Sequence, residues 1–177
     1  MNKQILGLAL PNIVTNITIP LLGMVDLAIV GHIGNAAHIG GIAIGGMIFN
    51  LIYWNFSFLR YGTGGLTAQA YGAENLDEGL RTLVRGLAIA LAGAVLLLLL
   101  QVPVGRLAAL VVDATPEVIR LALTYFYVRI WAAPAVLALY VFNGWFIGMQ
   151  NAKIPMALAM IVNCINIVFS LLFVLVW

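Results

Sequence analysis

Asp26 sits within an apolar stretch, and a carboxylate in such a place is a candidate proton or cation site. At 100° per residue, Asn12, Asn16, Gly23 and Asp26 fall within about 80° of one another on a helix. Three more stretches carry a stripe of the same kind. Asn50, Tyr53, Ser57, Arg60 and Thr67 share a face about 100° wide. Tyr125, Arg129, Tyr140, Asn143 and Gln150 lie within roughly 80°, and Asn163, Asn166 and Ser170 within about 60°. Such stripes cannot face hydrocarbon, so they face one another or a water-filled cavity. Interhelical hydrogen bonds of about 0.6 kcal/mol each account for an isolated Asn or Ser. Aligned stripes that include Asp26 and Arg129 point instead to a cavity.

Two states of Asp26 are open from the residues. Burial in low dielectric raises a carboxylate pKa toward physiological pH, which suits a site that loads and releases a proton. Arg129 falls near the membrane midplane, about 7 Å below Asp26, and a stable pair between them would lower that pKa instead. Arg60 falls near an interface, where its head would reach lipid phosphates. Tyr53 and Tyr140 lie on the stripes as candidates to line the cavity. Trp54, Trp131, Trp145 and Trp177 are expected as interface anchors or packing residues, and His32 and His38 as solvated groups at a helix end.

The composition says what solvent these stripes avoid. Of 177 residues, 64% are hydrophobic and 8% charged. Soluble domains carry about 25% charged residues, because their surface must be wetted. The mean hydropathy of +1.10 leaves lipid as the solvent of the outer surface. The net charge of +2, with no basic run, excludes nucleic acid as a partner. The single Cys164 permits no intrachain disulfide, and no CxxC or Cys/His cluster suggests a metal. No GxSxG, HExxH or membrane-embedded His is present, and Asp26 has no second carboxylate beside it, which argues against an intramembrane hydrolase. The fold class expected is all-α, a polytopic membrane helix bundle.

Spans of roughly 20 residues cross a ~30 Å hydrocarbon layer. On that basis five spans are expected, at 11–30, 41–71, 82–100, 117–150 and 155–177. The stretch after Lys3 holds Pro11, Pro20 and Asp26 and no small-residue cleavage site, so it is expected to stay as the first span rather than leave as a signal peptide. The second and fourth spans exceed what a bilayer needs, which implies tilt or protrusion. Gly41/Gly45 and Gly144/Gly148 have the spacing that lets helix backbones approach. With the N-terminus inside, Lys3, Arg81, Arg85 and Lys153 flank the cytoplasmic side and Arg106 and Arg120 the outer side, a bias favouring a cytoplasmic N-terminus.

Three strings carry a family likeness. Residues 20–34, PLLGMVDLAIVGHIG, resemble the first-helix signature of the multidrug and toxic compound extrusion (MATE) family, DinF-like branch. Residues 58–73, FLRYGTGGLTAQAYGA, resemble its second helix and following loop, and residues 143–155, NGWFIGMQNAKIP, the end of its fourth helix. The resemblance implies a bacterial inner-membrane antiporter of two six-helix lobes that exports amphipathic, often cationic compounds in exchange for protons or sodium. It makes Asp26 the residue that binds the coupling ion, with Asn166 assisting. Ser170 falls where many members carry Asp, which weakens a claim to sodium and leaves Asp26 as the principal carrier. No cofactor is implied beyond the ion. Asn12, Asn16, Tyr53, Ser57, Arg129, Tyr140, Asn143 and Asn163 would line the substrate cavity, and Pro20 would be the bend point of the first helix. The chain is expected to be an incomplete N-terminal lobe, whose partners would be a sixth helix and a C-terminal lobe. Two other readings stand beside this one: a flippase for lipid or lipid-linked substrates, and a non-transporting scaffold or inactive fragment whose stripes are only bundle glue.

Overall fold

The computed structural model describes residues 36–176, and among these the chain forms helices and short turns with no strand. The helices are α1 (Ala36–Asn55), α2 (Phe58–Gly72), α3 (Leu76–Leu99), α4 (Gln101–Val111), α5 (Pro116–Arg129), α6 (Ala133–Gly148) and α7 (Lys153–Val176). Residues 36–149 make one compact unit, and α7 belongs to another. The expected first span, with Asn12, Asn16, Pro20 and Asp26, lies outside the described residues.

Among the described residues, three continuous apolar stretches are long enough to cross a membrane: Ala36–Gly72, Leu76–Leu99 and Pro116–Gly148. Together with the shorter apolar helices they make this a multi-pass membrane bundle whose outer surface meets lipid. The first has 37 residues and the last 33, or about 55 and 50 Å of helix, well beyond the ~30 Å of hydrocarbon. Each is broken near its middle, where a single helix was expected from the sequence. Between α1 and α2 the ladder tightens to three-residue bonds, with the amides of Phe56, Ser57, Leu59 and Arg60 donating to the carbonyls of Tyr53, Trp54, Phe56 and Ser57. Between α5 and α6 a 3₁₀ turn spans Ile130–Ala132. Pro134 causes it: a proline has no amide for the carbonyl four residues back, and the Ile130 carbonyl instead accepts from the Ala133 amide.

The element starts also differ from expectation for local reasons. α3 begins at Leu76 rather than 82, because the Asn75 side chain caps it by accepting from the Glu78 amide at 3.1 Å. Asp77 and Glu78 in its first turn suit the positive end of the helix dipole. The stretch expected to end near residue 100 continues as α4 after a joint at Leu100, with Pro103 in the first turn of α4, where a missing amide costs nothing. α5 begins with Pro116 after an extended Thr115.

Small residues set the packing. The buried positions of α3 are Gly79, Thr82, Gly86, Ala90, Ala94 and Leu97, while Val84, Leu91 and Leu99 point outward. That is the pattern of a helix whose contacts come from close backbone approach and whose large side chains meet lipid. A Cβ placed on Gly41 would lie 2.7 Å from Leu121 Cβ, and one on Gly45 would strike the Tyr125 ring. On Gly144 it would strike the Arg60 carbonyl oxygen, and on Gly148 it would lie 2.7 Å from the Gly64 carbonyl oxygen. Both glycine pairs noted in the sequence are therefore crossing points, α1 on α5 and α2 on α6. Residue numbers rise together along these contacts, so the two long broken elements run parallel. α3 lies antiparallel across α2 and α6, with Gly86 against Thr63 and Val141, and Gly93 against Phe56 and Leu137. Trp145 Nε1 donates to the Gly79 carbonyl at 2.9 Å and fixes the far end of that pairing.

Candidate functional site

The parallel register of α1 with α5 and of α2 with α6 brings separate polar stripes to one level. Phe49, Tyr53, Phe126, Ile130, Leu137 and Val141 form the buried core where the two breaks meet. Phe49 is the hub: its ring stacks on Tyr53 at 5.5 Å, tilts against Phe126 at 5.3 Å and meets Tyr125 edge-on at 6.3 Å. Arg129, the last residue of α5, lies over this cluster. Its guanidinium carbon is 5.1 Å from the Phe49 ring centre and 5.4 Å from that of Tyr125, and it donates a hydrogen bond to the Tyr125 hydroxyl. Aromatic faces carry partial negative charge, so they hold a cation where no carboxylate is needed.

Beside this cluster opens a groove of about 700 Å³, lined by Met47, Asn50, Leu51, Tyr53, Trp54 and Tyr140. The volume is within the range of small-molecule sites, about 300–1,000 Å³, and the lining has their usual character, apolar and aromatic with a few polar groups. Asn50 and Trp54 are exposed, Tyr140 is half-buried, and Tyr53 is buried. Among the described residues the Tyr53 hydroxyl has no hydrogen-bond partner. A buried hydroxyl left unpaired costs roughly 1–3 kcal/mol, and a ligand acceptor in the groove would recover it.

Of the expected cavity residues, Tyr53 and Tyr140 therefore share one groove, contributed by α1 and α6. Arg129 belongs to the adjacent aromatic cluster. Ser57, in the break between α1 and α2, and Asn143, on α6, are half-buried but do not line the groove. On α7, Asn163 is buried, its Nδ2 without a partner among the described residues, and Asn166 lies one turn further on. Asp26 and its neighbours on the first span, and the side chain of Ser170, lie outside the described residues, as does any pairing of Asp26 with Arg129. Sequence reasoning missed Phe49, Met47, Leu51 and Trp54. Phe49 stands one helical turn before Tyr53, and that spacing of two aromatics was the available signal.

Comparison with known proteins identifies the family. The family model described as MatE matches residues 11–172, nearly the whole chain. The chain belongs to the MatE family. Among curated members it is 41% identical over 169 residues to DNA damage-inducible protein F of Escherichia coli (strain K12). That alignment covers 96% of this chain and 37% of the relative, so the chain spans little more than a third of the relative's length. No solved structure matches the chain. The aromatic cluster and groove thus lie in a stretch that falls wholly inside the family match.

Proposed function

We propose that this chain forms the leading helices of the N-terminal lobe of a secondary active efflux transporter, exporting amphipathic or cationic small molecules in exchange for protons or sodium. The observation that carries this reading is the meeting of Asn50 and Tyr53 of one stripe with Tyr140 of another in one open aromatic groove, in a chain matched by the MatE model. Tyr53, Trp54 and Tyr140 offer ring faces to a flat or cationic substrate, and Asn50 offers a donor and an acceptor. Arg129, in the adjoining aromatic cluster, sets the charge beside the groove. The protein sits in the bacterial inner membrane with a cytoplasmic N-terminus, and a sixth helix and a second lobe close the cavity.

Asp26 carries the coupling ion, supported by Asn166 and Ser170. Its protonation from the outer side releases the substrate by changing the packing of the first helix at Pro20. One proton moving down 100 mV and one pH unit supplies about 2.3 plus 1.4 kcal/mol, enough for a substrate gradient of roughly a few hundred-fold. The test is dye efflux from proteoliposomes containing the product of the gene's full reading frame. An imposed pH gradient drives efflux in the wild type, and Asp26→Asn abolishes it. Efflux that proceeds undiminished in Asp26→Asn overturns the coupling role, and a wild type that moves no dye under either ion gradient overturns the transporter reading.

A further inference from the structure

A second cavity lies at the other end of the unit, between α2 and α3, with a volume of about 580 Å³. Its lining is divided by position. Phe58, Leu66 and Ile89 form an apolar stretch, and Asn75, Glu78 and Arg85 form a polar mouth where α3 begins. From Glu78 to Ile89 the cleft runs eleven residues of helix, or about 16 Å, inward from the level of the first turn. Gly62 lines it beside open space, with nothing within 4 Å of where its Cβ would stand.

The charges at the mouth are unequally paired. Arg85 donates to Glu78 at 2.8 Å, and Arg81 approaches the same carboxylate at 3.8 Å. Two guanidinium groups thus share one carboxylate, which leaves one positive charge and most of their N–H donors for an anion. Both side chains are about two-thirds exposed, at 66% and 68%. Guanidinium forks match phosphate oxygens in charge and geometry. Glu78 itself lines the mouth with its side chain 40% exposed, so a bare anion would also meet repulsion. A headgroup holding a phosphate and a cation side by side satisfies both sets.

We propose that the cleft between α2 and α3 is a binding site for one phospholipid whose headgroup carries a phosphate and a primary ammonium. Arg85, with Arg81 beside it, takes the phosphate and Glu78 the ammonium, and an acyl chain lies past Gly62 along Phe58, Leu66 and Ile89. The site is separate from the groove of α1 and α6, and it does not depend on the transport reading.

Native mass spectrometry of the detergent-extracted protein, offered equal amounts of dioleoyl phosphatidylethanolamine and dioleoyl phosphatidylglycerol, tests it. One phosphatidylethanolamine is retained in preference to phosphatidylglycerol. Arg85→Gln and Gly62→Leu each weaken that retention roughly tenfold or more, the first by removing charge-assisted bonds and the second by filling the cleft. Arg106→Gln, exposed on α4, leaves it unchanged. Equal or greater retention of phosphatidylglycerol overturns the headgroup assignment, and retention indifferent to both variants overturns the site. Should Arg85→Gln lose its helical circular dichroism or elution position, Gly62→Leu decides alone, since it replaces a helical glycine where there is room.

Discussion

Replacing Gly148 by alanine tests whether the α2–α6 crossing holds the bundle together. The added Cβ would stand 2.7 Å from both the Gly64 carbonyl oxygen and Thr67 Cβ, against 3.4 Å for ordinary contact, a deficit of 0.7 Å on each. A carbonyl in a helix cannot rotate aside, so α6 must move off α2 by several tenths of an ångström. A gap of about 0.5–1 Å forfeits a quarter to a half of each dispersion contact, and each contact is worth about 0.1–0.2 kcal/mol. Over some tens of atom pairs that amounts to about 2–3 kcal/mol, within the range known for overpacking. Alanine's better helix propensity returns up to about 1 kcal/mol, so the net loss is about 1–2 kcal/mol. Gly65→Ala on α2 is the matched control: nothing lies within 4 Å of its Cβ position, so only the propensity gain remains. Equilibrium unfolding of purified variants in mixed micelles, titrated with sodium dodecyl sulfate, measures the difference. Gly148→Ala as stable as Gly65→Ala would refute the claim that backbone contact at this crossing sets the packing.

Three further substitutions address the cluster and the breaks. Tyr53→Phe removes a buried hydroxyl that has no partner among the described residues, so stability in the same unfolding assay holds or rises by up to about 1 kcal/mol, while dye affinity falls. Arg129→Ala takes the cation off the Phe49 and Tyr125 rings and costs about 1 kcal/mol, and Arg129→Lys, lacking the planar group, recovers only part of it. Pro134→Ala restores the missing amide, so the 3₁₀ turn Ile130–Ala132 relaxes toward α-helix; backbone hydrogen exchange at 130–133 slows, and efflux slows with it if the break must flex.

The fold class was legible because few charges among many apolar residues leave lipid as the only suitable surroundings. The glycine pairs were legible too, since spacing alone places Gly144 and Gly148 on one face. What hydropathy could not show was where helices start and break. Asn75, Asp77 and Glu78 look like loop by polarity, yet they cap and charge the first turn of α3. Pro134 and Pro103 were visible signals of a joint, but they sit inside runs so apolar that the hydropathy pattern passes over them. The break at Phe56–Ser57 carries no proline or glycine, and it coincides with the level at which α1 gives way to α2 in packing against the opposite broken element.

The candidate site was partly legible. Tyr53 and Tyr140 were singled out by helical geometry on separate spans, but their meeting depends on a parallel register in which Gly41 faces Leu121 and Gly64 faces Gly144 and Gly148. No pattern within either span encodes that offset. The same register delivers Arg129 to Phe49, where the sequence suggested only Asp26 as a partner.

Single cysteines introduced at Asn50 and Tyr140 on a Cys164→Ser background test most directly whether the groove takes substrate from water. If it does, both are labelled by a membrane-impermeant thiol reagent, and a transported dye protects both, while a cysteine at buried Leu137 is not labelled. Absence of labelling at Asn50 and Tyr140, or labelling that no dye slows, would contradict the assignment and leave the stripes as packing alone.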